Sequence, residues 1–236
     1  MKPRDPIGEE TLRILSQANK YLALSAEALV PHLSGRILEL GCGNGNLTRR
    51  LGRHFSMTAV DLDQGYLDSA QAHGDAPTVN FQRINLLEPA PEAWHHQFDS
   101  LLSCQVLEHF PDDRAILKNY LRCLKPGGRV VLQLPAHQFA FSQLDKNLGH
   151  YRRYHAEMVE NLFRDLDLKP IQTFYFNFVG LLGWLWAGKV RRKALLPAKE
   201  LSLFNHLAPV ALLPDLLTKN FFGLNVIGIA QKEFSE

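Results

Sequence analysis

Short apolar runs and helically spaced apolar positions alternate along the first two thirds of the chain. Ile37 to Leu40 is an uninterrupted apolar-rich run around one acid, Glu39, the pattern of a parallel strand buried on both faces. Leu47 and Leu51 then fall one helical turn apart. The cycle repeats: strands are predicted over Met57–Asp61, Val79–Ile84, Phe98–Cys104 and Arg129–Leu134, and helices over about Gln64–His73 and Arg114–Cys123. Strands that alternate with helices imply a parallel sheet with helices on both faces. Ahead of the first strand, Leu12, Leu15, Leu22, Ala26 and Leu29 predict one or two helices within Glu9–Leu33, closed by Pro31 and Gly35.

The pattern changes after residue 135. Asp145-Lys-Asn-Leu-Gly-His-Tyr-Arg-Arg-Tyr154 is dense in polar and aromatic groups and leads into a helix, about Ala156–Asp165. Leu168–Phe178 and Gly223–Gln231 read as the sixth and last strands. The connection between them, 180–222, is far longer than the few residues a strand pair needs and is an insertion. It opens on Leu181, Leu182, Trp184, Leu185 and Trp186, and continues into Lys189, Arg191, Arg192 and Lys193. Leu195, Leu196 and an apolar stretch ending at Pro214 follow. Apolar and aromatic residues beside cations suit an interfacial segment over 181–196 or a lid on a greasy substrate. Packing against the sheet edge or against a second copy of the chain accounts for them equally well.

The turn after the first strand carries the chemistry. Gly41, Gly43 and Gly45 stand on alternate positions, and Glu39 lies two residues ahead. Glycine permits backbone angles closed to other residues and lets a ligand approach the main chain. The spacing is not the Gly-x-Gly-x-x-Gly of a dinucleotide site, because position 46 is Asn. It resembles motif I of the class I S-adenosylmethionine (SAM) methyltransferases, acidic-x-Gly-x-Gly-x-Gly. Asp61, which ends the second strand about twenty residues after Gly41, sits where such folds place an acid on the ribose hydroxyls. Gln105-Val-Leu-Glu-His109 after the fourth strand resembles the family's fourth motif, and Leu124-Lys-Pro-Gly-Gly128 a frequent loop. The resemblance runs in order from Arg36 to Pro135.

The resemblance implies an α/β fold: a doubly wound, seven-stranded, mostly parallel Rossmann-like sheet, with the last strand antiparallel and the apolar insertion before it. It implies a helical cap over 1–35 and a methyltransferase domain over 36–236. It implies SAM as cofactor, held by Glu39, Gly41, Cys42, Gly43, Gly45, Asp61, Leu62, Asn85, Leu86 and Cys104. Asn85 stands where many relatives carry Asp, and its amide oxygen can accept from adenine or satisfy a turn. His150, His109 and Tyr154 are the expected catalytic residues, since a hydroxyl acceptor needs a base and histidine titrates in the right range. Tyr21, Glu108 and Arg152 are expected to meet the substrate. Arg152 and Arg153 would alternatively clamp the loop to Asp145 or Glu157. Some quinone O-methyltransferases that the chain resembles carry an extra acid ahead of the Glu-His pair and use a metal; that position is Gln105 here, and no metal is expected.

Composition narrows the acceptor. Lys plus Arg total 26 and Asp plus Glu 24, a net charge of +2, too balanced for a nucleic-acid binder. The Asn/Asp-Pro-Pro-Tyr motif of DNA amino-methylating enzymes is absent, since Cys104-Gln-Val-Leu107 stands there. Three cysteines, Cys42, Cys104 and Cys123, have no zinc-like spacing and fit a reducing, cytoplasmic setting. No signal peptide is visible at the start, and no apolar run reaches the roughly 18 residues of a membrane span. The expected function is methyl transfer to oxygen of a small or lipid-like molecule. A SAM-binding sensor or partner subunit without methyl transfer is the alternative.

Overall fold

A computed structural model describes residues 6–72, 74, 77–191, 193, 202, 205, 215–218 and 221–233. The first helices are α1 (Pro6–Ser16) and α2 (Asn19–Leu29), followed by a short 3-10 turn, Val30–His32. The sheet and its connections then run β1 (Arg36–Leu40), α3 (Thr48–Leu51), β2 (Ser56–Asp61), α4 (Gln64–Ala72), β3 (Val79–Arg83), β4 (Phe98–Cys104), α5 (Asp113–Tyr120) and β5 (Leu124–Pro135). After these come α6 (Gln143–Asn147), α7 (Ala156–Arg164), β6 (Leu168–Phe176), α8 (Phe178–Leu185), α9 (Asp215–Thr218) and β7 (Asn225–Lys232).

The seven strands lie in the order β3-β2-β1-β4-β5-β7-β6. β1 to β5 are parallel, and β7 runs antiparallel to both β5 and β6. Chain order reverses between β1 and β4, so a crevice opens there at the carboxyl ends of the strands. The doubly wound, mostly parallel fold is thus the one the resemblance implied, and two of the element boundaries that shift are instructive. β5 begins at Leu124 rather than Arg129, because Leu124 already pairs with Phe98 before the register shifts. α3 is a single turn, shorter than its two leucines suggested.

Side chains alternate between two helical layers. Leu38, Leu101 and Val130 face α5 and α7 through Leu117, Tyr120, Val159 and Phe163. Ile37, Leu102 and Val131 face the other way and pack on Ala26, Leu29 and Leu33. α2 therefore completes the second layer and shares its core with the sheet. Burial of this kind contributes about 25 cal/mol per Å² of apolar surface.

The described part of the insertion is mostly helical. Asn177 caps α8: its side-chain oxygen accepts from the Gly180 amide at 2.8 Å. The Asp215 carboxylate at the start of α9 accepts from the Asn177 and Phe178 amides at 2.6 and 2.8 Å, which ties the two ends of the insertion together. A π-helical turn, Trp186–Val190, continues α8. Residues 192 and 194–201, with Leu195 and Leu196, and 206–214, with Pro214, lie outside the described residues. Among the described residues no helix is long and apolar enough to cross a membrane.

Candidate functional site

Gly41, Gly43 and Gly45 all have positive φ, between 53° and 72°. These angles turn the chain sharply from β1 into α3. At Gly41 a Cβ would fall 2.4 Å from a methyl of Val106, so this glycine is also what lets the loop after β4 lie against the loop after β1. The Gly43 amide donates to Oδ2 of Asp61 at 2.8 Å, and the Asp63 amide donates to Oδ1 at 3.0 Å. Asp61 thus stands at the end of β2 with its carboxylate against the glycine turn. Burial raises its pKa, and those two amides oppose the rise. Asp63 caps α4, accepting from the Gly65 amide at 2.8 Å.

Glu39 is buried two residues ahead of Gly41. Burial raises its pKa to about 7, with Asp61 adding to the rise and Thr48 opposing it. Its Oε2 has no hydrogen-bond partner among the described residues. Buried polar atoms are normally paired, so this carboxyl beside the glycine turn has bonding capacity for a ligand. Cys42 is buried, its sulfur turned back on the Gly43 carbonyl at 3.6 Å. Leu86 is buried, Leu62 is about half exposed and Cys104 is partly buried.

Asn85 is engaged in the turn after β3: its amide oxygen accepts from the Leu87 amide at 3.2 Å and its nitrogen donates to Glu88. The turn role that the residue type offered is therefore filled. α1 lies across the glycine turn. Asn46 donates to the Leu12 carbonyl at 3.0 Å, and the Leu12 side chain covers Gly43. A cavity of about 550 Å³ lies on the outer flank of this turn, lined by Arg13, Asn44, Arg49, Asp63 and Tyr66 among others. Gly41, Asp61 and Asn85 are not in its walls, so it is a seam between α1, α3 and α4 rather than the crevice itself.

The second group of polar side chains comes from two distant stretches. Glu108 and His109 lie on a 3-10 turn after β4, and His150 follows α6. A carboxylate oxygen of Glu108 and one ring nitrogen from each histidine all lie within 4.8 Å of one another. Backbone bonds fix the approach, with the Tyr151 amide donating to the Glu108 carbonyl at 2.8 Å. The rings of His109 and His150 meet edge to face at 4.8 Å between centroids. His150 Nδ1 lies 3.1 Å from Asp145 Oδ1, and its Nε2 points toward Glu108 at 4.0 Å. Burial raises the Glu108 pKa to about 8; Arg153 opposes the rise and Asp145 adds to it.

Asp145 is the hub. It is fully buried and accepts from the Ser142 amide at 2.8 Å and from Arg153 Nε at 2.7 Å. Burial pushes its pKa up, but His150 and Arg153 outweigh that and hold the carboxyl below its usual range. Arg153 is itself buried, donates to the Ala136 carbonyl at 3.1 Å, and lies over the Trp184 ring at 4.5 Å. The first turns of the insertion therefore rest on the same network.

Two expected functional residues have other duties. Tyr154 is buried, and its hydroxyl donates to Asp113 at 2.7 Å, at the start of α5. Burial and the neighbouring Asp113 raise its pKa further. The expected catalytic role gives way to a structural tie, because its only proton already has a carboxylate acceptor. Arg152 pairs with the same Asp113 at 2.9 Å and donates to the Pro111 carbonyl, so it clamps the loop after β4. Of the two arginines, Arg153 takes Asp145 and Arg152 takes Asp113. Tyr21 on α2 receives a bond from Asn225 at 3.4 Å, and Asn225 also accepts from Gln105 at 3.0 Å. This places Tyr21 at the carboxyl end of the sheet. The Arg153–Asp145 pair is one of the clamps the sequence offered, whereas Asn225 as the bridge to Tyr21 carried no motif of its own.

Residues 38–130 match the family model of a methyltransferase domain. A ubiquinone biosynthesis O-methyltransferase of Xanthomonas oryzae pv. oryzae (strain PXO99A) is 34% identical over 99 residues, 41% of either chain. One of Coxiella burnetii (strain Dugway 5J108-111) is 29% identical over 120 residues, 49% of this chain and 46% of the relative. The match thus spans less than half the length of these curated relatives. A crystal structure of an S-adenosylmethionine-dependent methyltransferase from Mesorhizobium loti superposes with a TM-score of 0.60 at 16% identity, over 89% of this chain and 96% of the other.

Proposed function

We infer that this chain, whose residues 38–130 form a methyltransferase domain of the class I SAM-dependent kind, transfers a methyl group from SAM to an oxygen of a small or lipid-like acceptor. The observation that carries the reading is one contact. Val106 packs on Gly41, so the cofactor turn with Asp61 and the Glu108–His109–His150 group share one end of the sheet.

The nucleoside would lie along Asp61, whose second lone pairs remain for the ribose hydroxyls. The methionine part would meet Glu39 beside the glycine turn. The acceptor oxygen attacks the sulfonium methyl in line; the carbon–sulfur bond breaks as the carbon–oxygen bond forms, and neutral S-adenosylhomocysteine leaves. Positioning alone contributes roughly 7–11 kcal/mol to such steps. The hydroxyl proton goes to an imidazole of the second group, a contribution of about 10²–10⁴-fold. Similarity to ubiquinone biosynthesis O-methyltransferases supports oxygen as the target.

The test is transfer of labelled methyl from SAM to a panel of hydroxylated, amino and thiol acceptors. Product with hydroxylated acceptors alone is the expected result. SAM binding without product from any of them would favour a sensor or partner subunit.

A second reading concerns how a lipid-like acceptor arrives. Leu182, Trp186 and Val190 recur every fourth residue along α8 and its π turn and are 50%, 55% and 61% exposed. Exposed Lys189 and Arg191 flank them. An apolar stripe beside cations suits contact with an anionic bilayer. Flotation with phosphatidylglycerol vesicles, lost in Trp186→Glu, is expected; equal flotation of the variant contradicts it.

A further inference from the structure

Glu108 is fully buried, yet neither carboxylate oxygen has a hydrogen-bond partner among the described residues. A buried carboxylate is costly unless it is paired or coordinates a cation. Two imidazoles stand beside it. One, His150, is held through Nδ1 by Asp145. Its Nε2 is the nitrogen turned toward Glu108. A carboxylate that fixes the direction of a histidine in this way is the usual outer support of a metal-binding imidazole. Arg153 and the Ser142 amide in turn fix Asp145; Arg153 acts on Glu108 through its charge alone and leaves both Glu108 oxygens without a hydrogen bond. His109 is exposed, which gives the group a route to solvent.

The extra acid of the resembling quinone O-methyltransferases cannot act here, since Gln105 replaces it and its amide is turned to the Gln133 carbonyl and to Asn225. We propose that Glu108, His109 and His150 hold a divalent first-row transition ion, with His150 supplying the donor that position 105 lacks and Asp145 positioning His150. One carboxylate and two imidazoles suit zinc and its neighbours and leave coordination positions open. The three atoms, now within 4.8 Å of one another, would draw in to about 3.4 Å, the separation of tetrahedral ligands at roughly 2.1 Å from an ion. Such an ion, when bound, occupies both imidazoles and would replace the imidazole base of the metal-free site, acting as a Lewis acid on an acceptor oxygen whose proton is released to water.

The test reads the ion itself and needs neither SAM nor an acceptor, so it stands or falls separately from methyl transfer. The full chain, stripped with a chelator, is titrated with Co²⁺ by visible absorption and with Zn²⁺ by calorimetry. One equivalent per chain is expected. His109→Ala and His150→Ala should weaken it at least tenfold, and Asp145→Asn by about 10–100-fold. His54→Ala, an exposed histidine elsewhere, should leave it unchanged. His109 is exposed, so its variant keeps the fold and the comparison survives even if His150→Ala or Asp145→Asn does not. No stoichiometric binding, or equal affinity in His109→Ala, overturns the proposal.

Discussion

The two halves of the crevice are built on opposite plans. The cofactor half is one continuous piece of chain, residues 36–61, in which a strand, a glycine turn and the next strand end place Glu39, Gly43 and Asp61 by local geometry. The acceptor half is assembled from residues 105–109, 142–154 and 177–184, held by ion pairs and caps between distant segments. Errors of position at the first half are limited by covalent connection. At the second they are limited by a buried charge network centred on Asp145. A local site tolerates changes elsewhere in the chain, whereas a long-range site depends on every tie.

The largest expected effect breaks that network. Arg153→Ala leaves the Asp145 carboxylate buried without its cation and should cost about 3–5 kcal/mol of stability. Denaturant unfolding checks it; a loss below about 1 kcal/mol would mean that the acceptor half is not held by this pair.

Glu39 gives the matching test on the cofactor half. An acid whose folded pKa lies above its unfolded value holds its proton longer when folded. Its contribution is therefore full below about pH 4.5 and is lost as pH rises toward about 7. Glu39→Gln should remove that slope, on the order of 3 kcal/mol across the window. Parallel melting curves for the two proteins between pH 5 and 8 would show that Glu39 ionises freely.

Asp61→Ala comes next. Removing a charged acceptor from two ribose hydroxyls should weaken SAM binding by about 1.5–3 kcal/mol with the acceptor half intact. Calorimetry with unchanged affinity would detach Asp61 from the cofactor. The smallest effect belongs to Tyr154→Phe, which deletes the bond to Asp113 and should lower stability by about 0.5–1.5 kcal/mol without a change in turnover. A large fall in turnover at unchanged stability would return Tyr154 to the chemistry.

The same contrast explains what the sequence disclosed. β1, the glycine turn, β2 and Asp61 were legible because their signals are periodicity and spacing within 26 consecutive positions, 36 to 61.

 The density of polar and aromatic groups over 145–154 was equally plain, but not their partners. His150 meets Glu108 from more than forty residues away, and Tyr154 and Arg152 turn to Asp113 only because the bridge between Ala136 and Tyr154 aims this segment past α5. Asn85 was readable both ways from residue type alone, and the backbone after β3 decided for the turn. The insertion announced its helix through its apolar run, while the seat of Trp184 under Arg153 depended on a contact that no local pattern encodes.

The central claim is that both halves serve one reaction, with the cofactor sulfur between them. A crystal structure with S-adenosylhomocysteine tests it most directly. The account predicts the ribose hydroxyls on Asp61 at about 2.7–3 Å, with the sulfur facing the Glu108–His109–His150 group. A nucleoside bound away from Asp61, or a sulfur turned from that group across the sheet, would contradict it.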